Sequence, residues 1–236
     1  MIEGRYAGRA AIVTGAGSGF GRATALGLAR EGAAMVALVE RVPERLAAVT
    51  AQVNATGATA LPLHVDLRTP SASAEVVRAA FGAAGRLDVL ISNHAVLVPP
   101  TPFLDGTDEN WALEVDVNLT SHYVLAREAA RCMRDAGTGG AIAFTASVNA
   151  LGAGRGAAAY SATKAALVNL ARVMAVELAA HGIRVNCVSP GPADTQRSVD
   201  LVGEAAMQQL RTGFRAAPRT MSRTRSCTCA RTTRRT

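Results

Sequence analysis

Lys164 is the only lysine among the 25 lysine and arginine side chains of this chain, and it follows Tyr160 by four residues in the segment YSATK. Ser147 precedes the tyrosine by thirteen. A guanidinium keeps its proton in a protein, whereas an ammonium is a compact charge whose pKa responds to its surroundings. A lysine beside a phenol therefore favours the phenolate, and a tyrosine tuned in this way can carry a proton near neutral pH. Four residues is about one helical turn, so a helix here would present both side chains on one face. A serine hydroxyl brought to the same place could hydrogen-bond an oxygen on which charge develops. A surface lysine on an amphipathic helix shows the same bare spacing, so the surrounding motifs must decide.

The elements that would position these residues are legible as alternation. Short β-branched or apolar runs alternate with longer Ala-rich segments of helical period, the pattern of repeated βαβ units. Strands are expected at Ala10–Thr14, Met35–Val39, Thr59–Val65, Leu87–Ile91, Gly140–Thr145 and Ile183–Val188. Helices are expected at Gly19–Glu31, Pro43–Thr56, Ser71–Ala84, Trp111–Asp135 and Ala157–His181. The fold class is then α/β, a doubly wound parallel sheet in one domain, residues 1–214.

Directly after the first strand comes TGAGSGFG, opening the first helix. Glycines at 15, 19 and 21 allow a tight turn and close approach to a pyrophosphate, which the helix N-terminal amides then hold. The second strand runs into Glu40-Arg41. A carboxylate there accepts from an adenosine ribose and repels a 2′-phosphate, favouring NAD, while Arg41 could attract that phosphate and favour NADP. Solvated charges at a strand end are the plainer reading of both residues.

The formal charge of +7 looks like a nucleic-acid signal until it is located. Residues 1–214 are balanced, and the excess lies in Arg215, Arg219, Arg223, Arg225, Arg231, Arg234 and Arg235. The body of the chain gives no electrostatic reason to expect a nucleic-acid partner. No apolar run is long enough to span a bilayer, and MIEGRYAGR lacks the apolar core of a signal peptide, so no membrane partner and a cytoplasmic location are expected. Cys132, Cys187, Cys227 and Cys229 lack paired zinc-ligand spacing, His64, His94, His122 and His181 suggest no cluster, and no metal is expected.

The motifs together resemble the short-chain dehydrogenase/reductase family: TGAGSGFG, Asp66 in HVDL, Asn118 in VNL, Ser147, YSATK, and SPGPADT from Ser189 to Thr195. They occur in the family's order and spacing over residues 14–195. The resemblance implies a catalytic set of Asn118, Ser147, Tyr160 and Lys164. Tyr160 would be the general acid/base, and Lys164 would lower its pKa and bind the nicotinamide ribose. Ser147 would hydrogen-bond the substrate oxygen, and Asn118 would hold a water linking Lys164 to solvent. The implied cofactor-binding residues are Gly15, Ser18, Gly19, Phe20, Gly21, Glu40, Asp66, Leu67, Asn93, His94, Ala95, Tyr160, Lys164, Pro190, Gly191 and Thr195. Where the family usually reads N-N-A-G, this chain has Ser92-Asn93-His94-Ala95, which puts larger side chains beside the cofactor.

The resemblance implies an NAD-dependent enzyme, with NADP as the alternative, that interconverts a small secondary alcohol and a ketone. An NADPH-dependent reductase of 3-oxoacyl thioesters is the near rival, and a dinucleotide-binding remnant impaired in catalysis the distant one. A homodimer or homotetramer through the two long helices is implied as well. From about Arg215 the sequence RAAPRTMSRTRSCTCARTTRRT has no acidic residue and no apolar period, and departs from the family. A basic tail, a disordered extension and a reading-frame error compete for it. Regrouping its codons by one base from Pro218 permits an amphipathic helix and a Ser-Asp turn like the family's continuation, which favours the frame error. A sheet lacking its last strand, and poor stability, are the expectations that follow.

Overall fold

The computed structural model describes residues 4–152, 154–191, 203 and 208; the expectations for Thr195 and for 215–236 fall outside them. Residues up to Gly191 form one unit. Its strands are β1 (Ala10–Thr14), β2 (Met35–Glu40), β3 (Thr59–His64), β4 (Val89–Ser92), β5 (Gly140–Thr145) and β6 (Ile183–Val188). The helices are α1 (Gly19–Arg30), α2 (Pro43–Asn54), α3 (Pro70–Ala84), α4 (Asp108–Val115), α5 (Ser121–Asp135) and α6 (Ala158–Leu178). All pairings are parallel, in the order β3-β2-β1-β4-β5-β6. This is the doubly wound sheet that the alternation implied.

Burial explains why these runs are strands. Every residue of β1 and β2 is buried, as a parallel strand covered on both faces requires. Ala11, Val13, Val36 and Leu38 pack on Ala25 and Leu28 of α1 and Val49 and Val53 of α2. On the other face Ile12, Ala37, Leu90, Ile142 and Phe144 meet Val76, Ala80, Leu125, Ala129, Leu167 and Ala171 from α3, α5 and α6. At β5 and β6 only that second face is fully covered among the described residues. Ile142, Phe144, Ile183 and Val185 are buried, while Ala141, Ala143 and Asn186 are partly open and Arg184 is exposed.

The strand order reverses between β1 and β4, and the crevice beyond the carboxyl ends of strands at such a point is where open α/β sheets bind ligands. The glycine turn after β1 and the segment after β4 both open there. Two elements differ from expectation. The fourth strand starts at Val89, although the Asp88 main chain already bonds Ala10 and Ala141 at 2.9 Å each; its carboxylate accepts the Ala10 amide at 2.8 Å and the Arg86 guanidinium at 2.6 Å. The single helix expected over Trp111–Asp135 begins at Asp108, behind a Thr107 cap on the Asn110 amide, and is interrupted by a π turn over Asp116–Thr120. Among the described residues no helix is long and apolar enough to cross a membrane.

Candidate active site

Tyr160 and Lys164 lie one turn apart near the start of α6, and the Lys164 ammonium stands 5.6 Å from the centroid of the Tyr160 ring. Lys164 is 1% exposed, and its Nζ donates to the Thr145 carbonyl at 2.9 Å. A buried ammonium needs such an anchor, because burial without hydrogen bonds costs several kcal/mol, on the order of the penalty for any ion taken from water. Thr145 ends β5, so the sheet itself fixes the lysine. Two residues on, Ser147 caps a short 3₁₀ turn, its Oγ accepting the Asn149 amide at 3.2 Å. The Val148 amide donates to the Pro190 carbonyl at 3.0 Å, which joins the Ser147 turn to the Pro190-Gly191 segment after β6. The ends of β5, β6 and α6 thus bring Ser147, Tyr160, Lys164 and Pro190 into one neighbourhood.

Asn118 is fully buried inside the π turn. Its Oδ1 accepts the Val96 amide at 2.7 Å and its Nδ2 donates to the Val96 carbonyl at 2.8 Å, so the side chain grips the segment after β4 like a neighbouring strand. One Nδ2 hydrogen remains beyond these two bonds.

The glycine turn fits a dinucleotide. Gly15 and Gly19 have φ of +62° and +50°, a region that L side chains rarely adopt. A Cβ on Gly21 would come within 2.0 Å of the Gly15 carbonyl oxygen and 2.7 Å of Asn93 Nδ2. Asn93 cannot yield, since its Nδ2 donates to the Thr14 carbonyl at 3.2 Å. Ser18, the N-cap of α1, makes no side-chain capping bond, so its own hydroxyl does not compete with an anion for the first turn. Phe20 is exposed at the same helix end. Gly21→Ala is expected to lower NADH affinity at least about tenfold and stability by about 1–3 kcal/mol, the range for overpacking. Fluorescence titration with NADH and urea unfolding measure the two; unchanged affinity would remove the cradle from the account.

Glu40 is 8% exposed, and its carboxylate accepts the Gly17 amide at 3.0 Å and the Arg41 and Val42 amides at 3.0 and 3.1 Å. It is a fixed anion bracing the glycine turn rather than a solvated charge, and Arg41 is exposed beside it. Asp66, after β3, is paired with Arg68 at 2.8 Å, with Leu67 buried next to it.

The two histidines not expected to meet do so, which corrects the reading of four scattered imidazoles. His94 and His122 stack with centroids 4.0 Å apart and planes within 8°. Thr14 Oγ1 accepts the amides of Asn93 and His94 at 2.9 and 3.2 Å, so its own proton goes to His94 Nδ1 at 2.7 Å. His94 Nε2 then donates to Ser121 Oγ at 2.6 Å, and Ser121 donates on to the Val117 carbonyl at 2.8 Å. His122 Nε2 donates to the His94 carbonyl at 2.9 Å, leaving Nδ1 to accept Ser92 Oγ at 2.7 Å. Both rings are thereby neutral, with the proton on Nε2. Burial first, and then the Lys164 charge, push the His94 pKa down to about 3. His122 is lowered well below its ordinary value by burial, by its partner ring and by Lys164. The bulk of His94 is therefore taken up beneath the site, and His94 ties β1, β4 and α5 together at the switch point. Periodicity held no signal for the pair, because residues 94 and 122 meet only through the fold. Among the described residues no group of three His, Cys, Asp or Glu could hold a metal.

The short chain dehydrogenase family model matches residues 9–205. The cis-4-hydroxycyclohexanecarboxylate dehydrogenase of Sinomonas cyclohexanicum is 37% identical over 80% of this chain and 75% of its own length. The L-rhamnose 1-dehydrogenase (NAD(P)(+)) of Azotobacter vinelandii is 37% identical over 78% of this chain and 73% of its own. Among solved structures, carveol dehydrogenase from Mycobacterium avium in complex with NAD superposes with a TM-score of 0.76 at 31% identity, covering 79% of this chain and 72% of that one.

Proposed function

The chain belongs to the short-chain dehydrogenase family, NAD(P)-dependent oxidoreductases of alcohols and ketones, and from that premise we propose that it interconverts a secondary alcohol and its ketone with Tyr160 as general acid/base. The observation that carries this reading is the buried Lys164 ammonium beside the Tyr160 ring, anchored by the end of β5. When bound, the nicotinamide ring supplies the two-electron chemistry. In the oxidation direction the Tyr160 phenolate takes the hydroxyl proton, and in reduction the phenol returns it. The Lys164 charge favours the phenolate, because an opposite charge stabilises the ionised form. Ser147, at the Pro190 junction, donates to the substrate oxygen. Asn118 grips the Val96 segment and holds a water through which Lys164 exchanges protons with solvent.

Gly15, Ser18, Gly19, Phe20 and Gly21 hold the pyrophosphate, Asp66 and Leu67 the adenine, and Asn93, His94, Ala95, Pro190, Gly191 and Thr195 the nicotinamide half. Three amides hold the Glu40 carboxylate at the end of β2 against the glycine turn, and a carboxylate there disfavours an adenosine 2′-phosphate, which supports NAD over NADP. Glu40→Ser is expected to raise NADPH affinity relative to NADH by at least about tenfold, about 1.4 kcal/mol. Paired fluorescence titrations read this ratio, and an unchanged ratio would remove Glu40 from cofactor choice. α5 and α6 pack copies of the chain together, and the exposed Val173 and Val176 of α6 support this.

The relative of Sinomonas cyclohexanicum is named for a hydroxycyclohexane acid, so the first alcohols to offer are cis-4-hydroxycyclohexanecarboxylate, cyclohexanol and L-rhamnose. Growth of nicotinamide absorbance with one of them supports the reading. NADH binding without turnover on these alcohols and on a wider ketone panel would make the chain a dinucleotide-binding remnant.

A further inference from the structure

Glu114 sits in the last turn of α4 and is 2% exposed, an unusual burial for a carboxyl with no basic side chain in salt-bridge contact among the described residues. Its Oε1 accepts the Val98 amide at 3.1 Å. The Tyr160 amide faces the same carboxylate and helps hold its pKa down. That approach meets a specific need. The N-cap of α6 is Ala157, whose methyl cannot accept, so the amide of Tyr160 in the first turn lacks the side-chain oxygen that a Ser, Thr or Asp would provide. The Ser161 amide, by contrast, closes onto the Ala157 carbonyl at 2.9 Å. α4 and α6 pack against each other, which leaves the Glu114 carboxylate as the group placed to serve as that cap from the neighbouring helix.

The spacing extends the argument. Glu114 and Asn118 are four apart, about one turn, and project from one face. They hold Val98 and Val96, which are two apart on an extended segment and therefore also on one side. The two spans match, at about 6–7 Å each, so helix and segment fit as two rungs. A third tie, the Thr101 amide to the Gly156 carbonyl at 3.0 Å, closes the same segment onto the approach to α6.

We propose that Glu114 is a positioning residue for the reaction, its carboxylate capping α6 at Tyr160 while it pins Val98, so that the tyrosine and the Val96–Thr101 wall are set together. The inference rests on Tyr160 being the acid/base. Burial raises the Glu114 pKa, opposed by the Val98 and Tyr160 amides and by the Lys164 charge.

Glu114→Ala and Glu114→Gln test it, with Tyr160→Phe as the control. In Glu114→Ala, amide exchange at Tyr160 is expected to accelerate at least about tenfold, and kcat on the best of the three alcohols to fall at least about tenfold. NADH affinity stays within about twofold, as for a variant that leaves cofactor contacts intact. Glu114→Gln keeps one accepting oxygen and falls between wild type and alanine. Unchanged exchange and unchanged kcat overturn the proposal. So does an equal loss of kcat and NADH affinity, which marks general loosening. Should Glu114→Ala fail to fold, the glutamine variant reads the same three quantities. Full activity of Tyr160→Phe would sink the acid/base reading instead, while the exchange result would still judge the cap.

Discussion

Tyr160→Phe is expected to lower kcat by about a thousandfold, within the range for loss of a general acid or base, while NADH binds within about twofold of wild type because only a hydroxyl is removed. The phenyl ring keeps its place against Lys164, so the fold and the cofactor site are undisturbed and the loss falls on proton transfer. Lys164→Arg separates charge from fit. An arginine retains the positive charge but replaces a point donor with a planar fork that the Thr145 carbonyl in a closed site does not match. Rescue of activity by arginine would show that charge alone suffices. A Tyr160→Phe enzyme with wild-type kcat at neutral pH would remove the tyrosine from the mechanism.

The second large effect is on stability in mild acid. His94 and His122 are neutral in the fold, and protonating either would bury a second positive charge near Lys164. Their folded pKa values are depressed, His94 to about 3, against about 6.5 in the unfolded chain. Above pH 6.5 both states are neutral and the pair adds no pH dependence. Below it the unfolded imidazoles take up protons that the folded ones refuse, so stability is lost as pH falls, by up to about 1.4 kcal/mol per pH unit for each ring. Glu114, whose folded pKa is raised, works in the opposite sense at the low end of the same window. His94 keeps part of its surface open, so its share is the smaller. Lowering pH from 6.5 to 5 is expected to reduce the unfolding free energy by about 2–3 kcal/mol, a large fraction of a marginal fold's total. Urea midpoints across that range measure it. In His94→Ala the slope should fall by somewhat less than half; an unchanged slope would mean that the stacked pair is not what titrates.

Much of the fold was legible because a parallel sheet buried on both faces leaves continuous apolar runs. Five strand starts and the ends of β1, β5 and β6 agree with the alternation to the residue. β4 starts two residues later than the alternation placed it, although the Asp88 main chain still bonds Ala10 and Ala141 on either side. The long helix before β5 was read without its π turn, since a change of hydrogen-bond register at Asn118 leaves apolar periodicity intact. At the site, Tyr160, Lys164 and the glycines could be found from spacing, because helices and turns fix neighbours within a few residues. The histidine pair and Glu114 could not, because their partners are far away in the chain. The one local hint for Glu114 was its four-residue spacing to Asn118 in EVDVN.

The central claim, transfer between a secondary alcohol carbon and the cofactor with Tyr160 handling the proton, is tested most directly by an isotope. An alcohol deuterated at the carbinol carbon is incubated with NAD and the protein, and the cofactor and ketone are analysed by mass spectrometry. One deuterium is expected in the reduced cofactor for each ketone formed by the wild type, with nearly all of that signal lost in Tyr160→Phe. Ketone without deuterated cofactor, or equal transfer by both proteins, would contradict it.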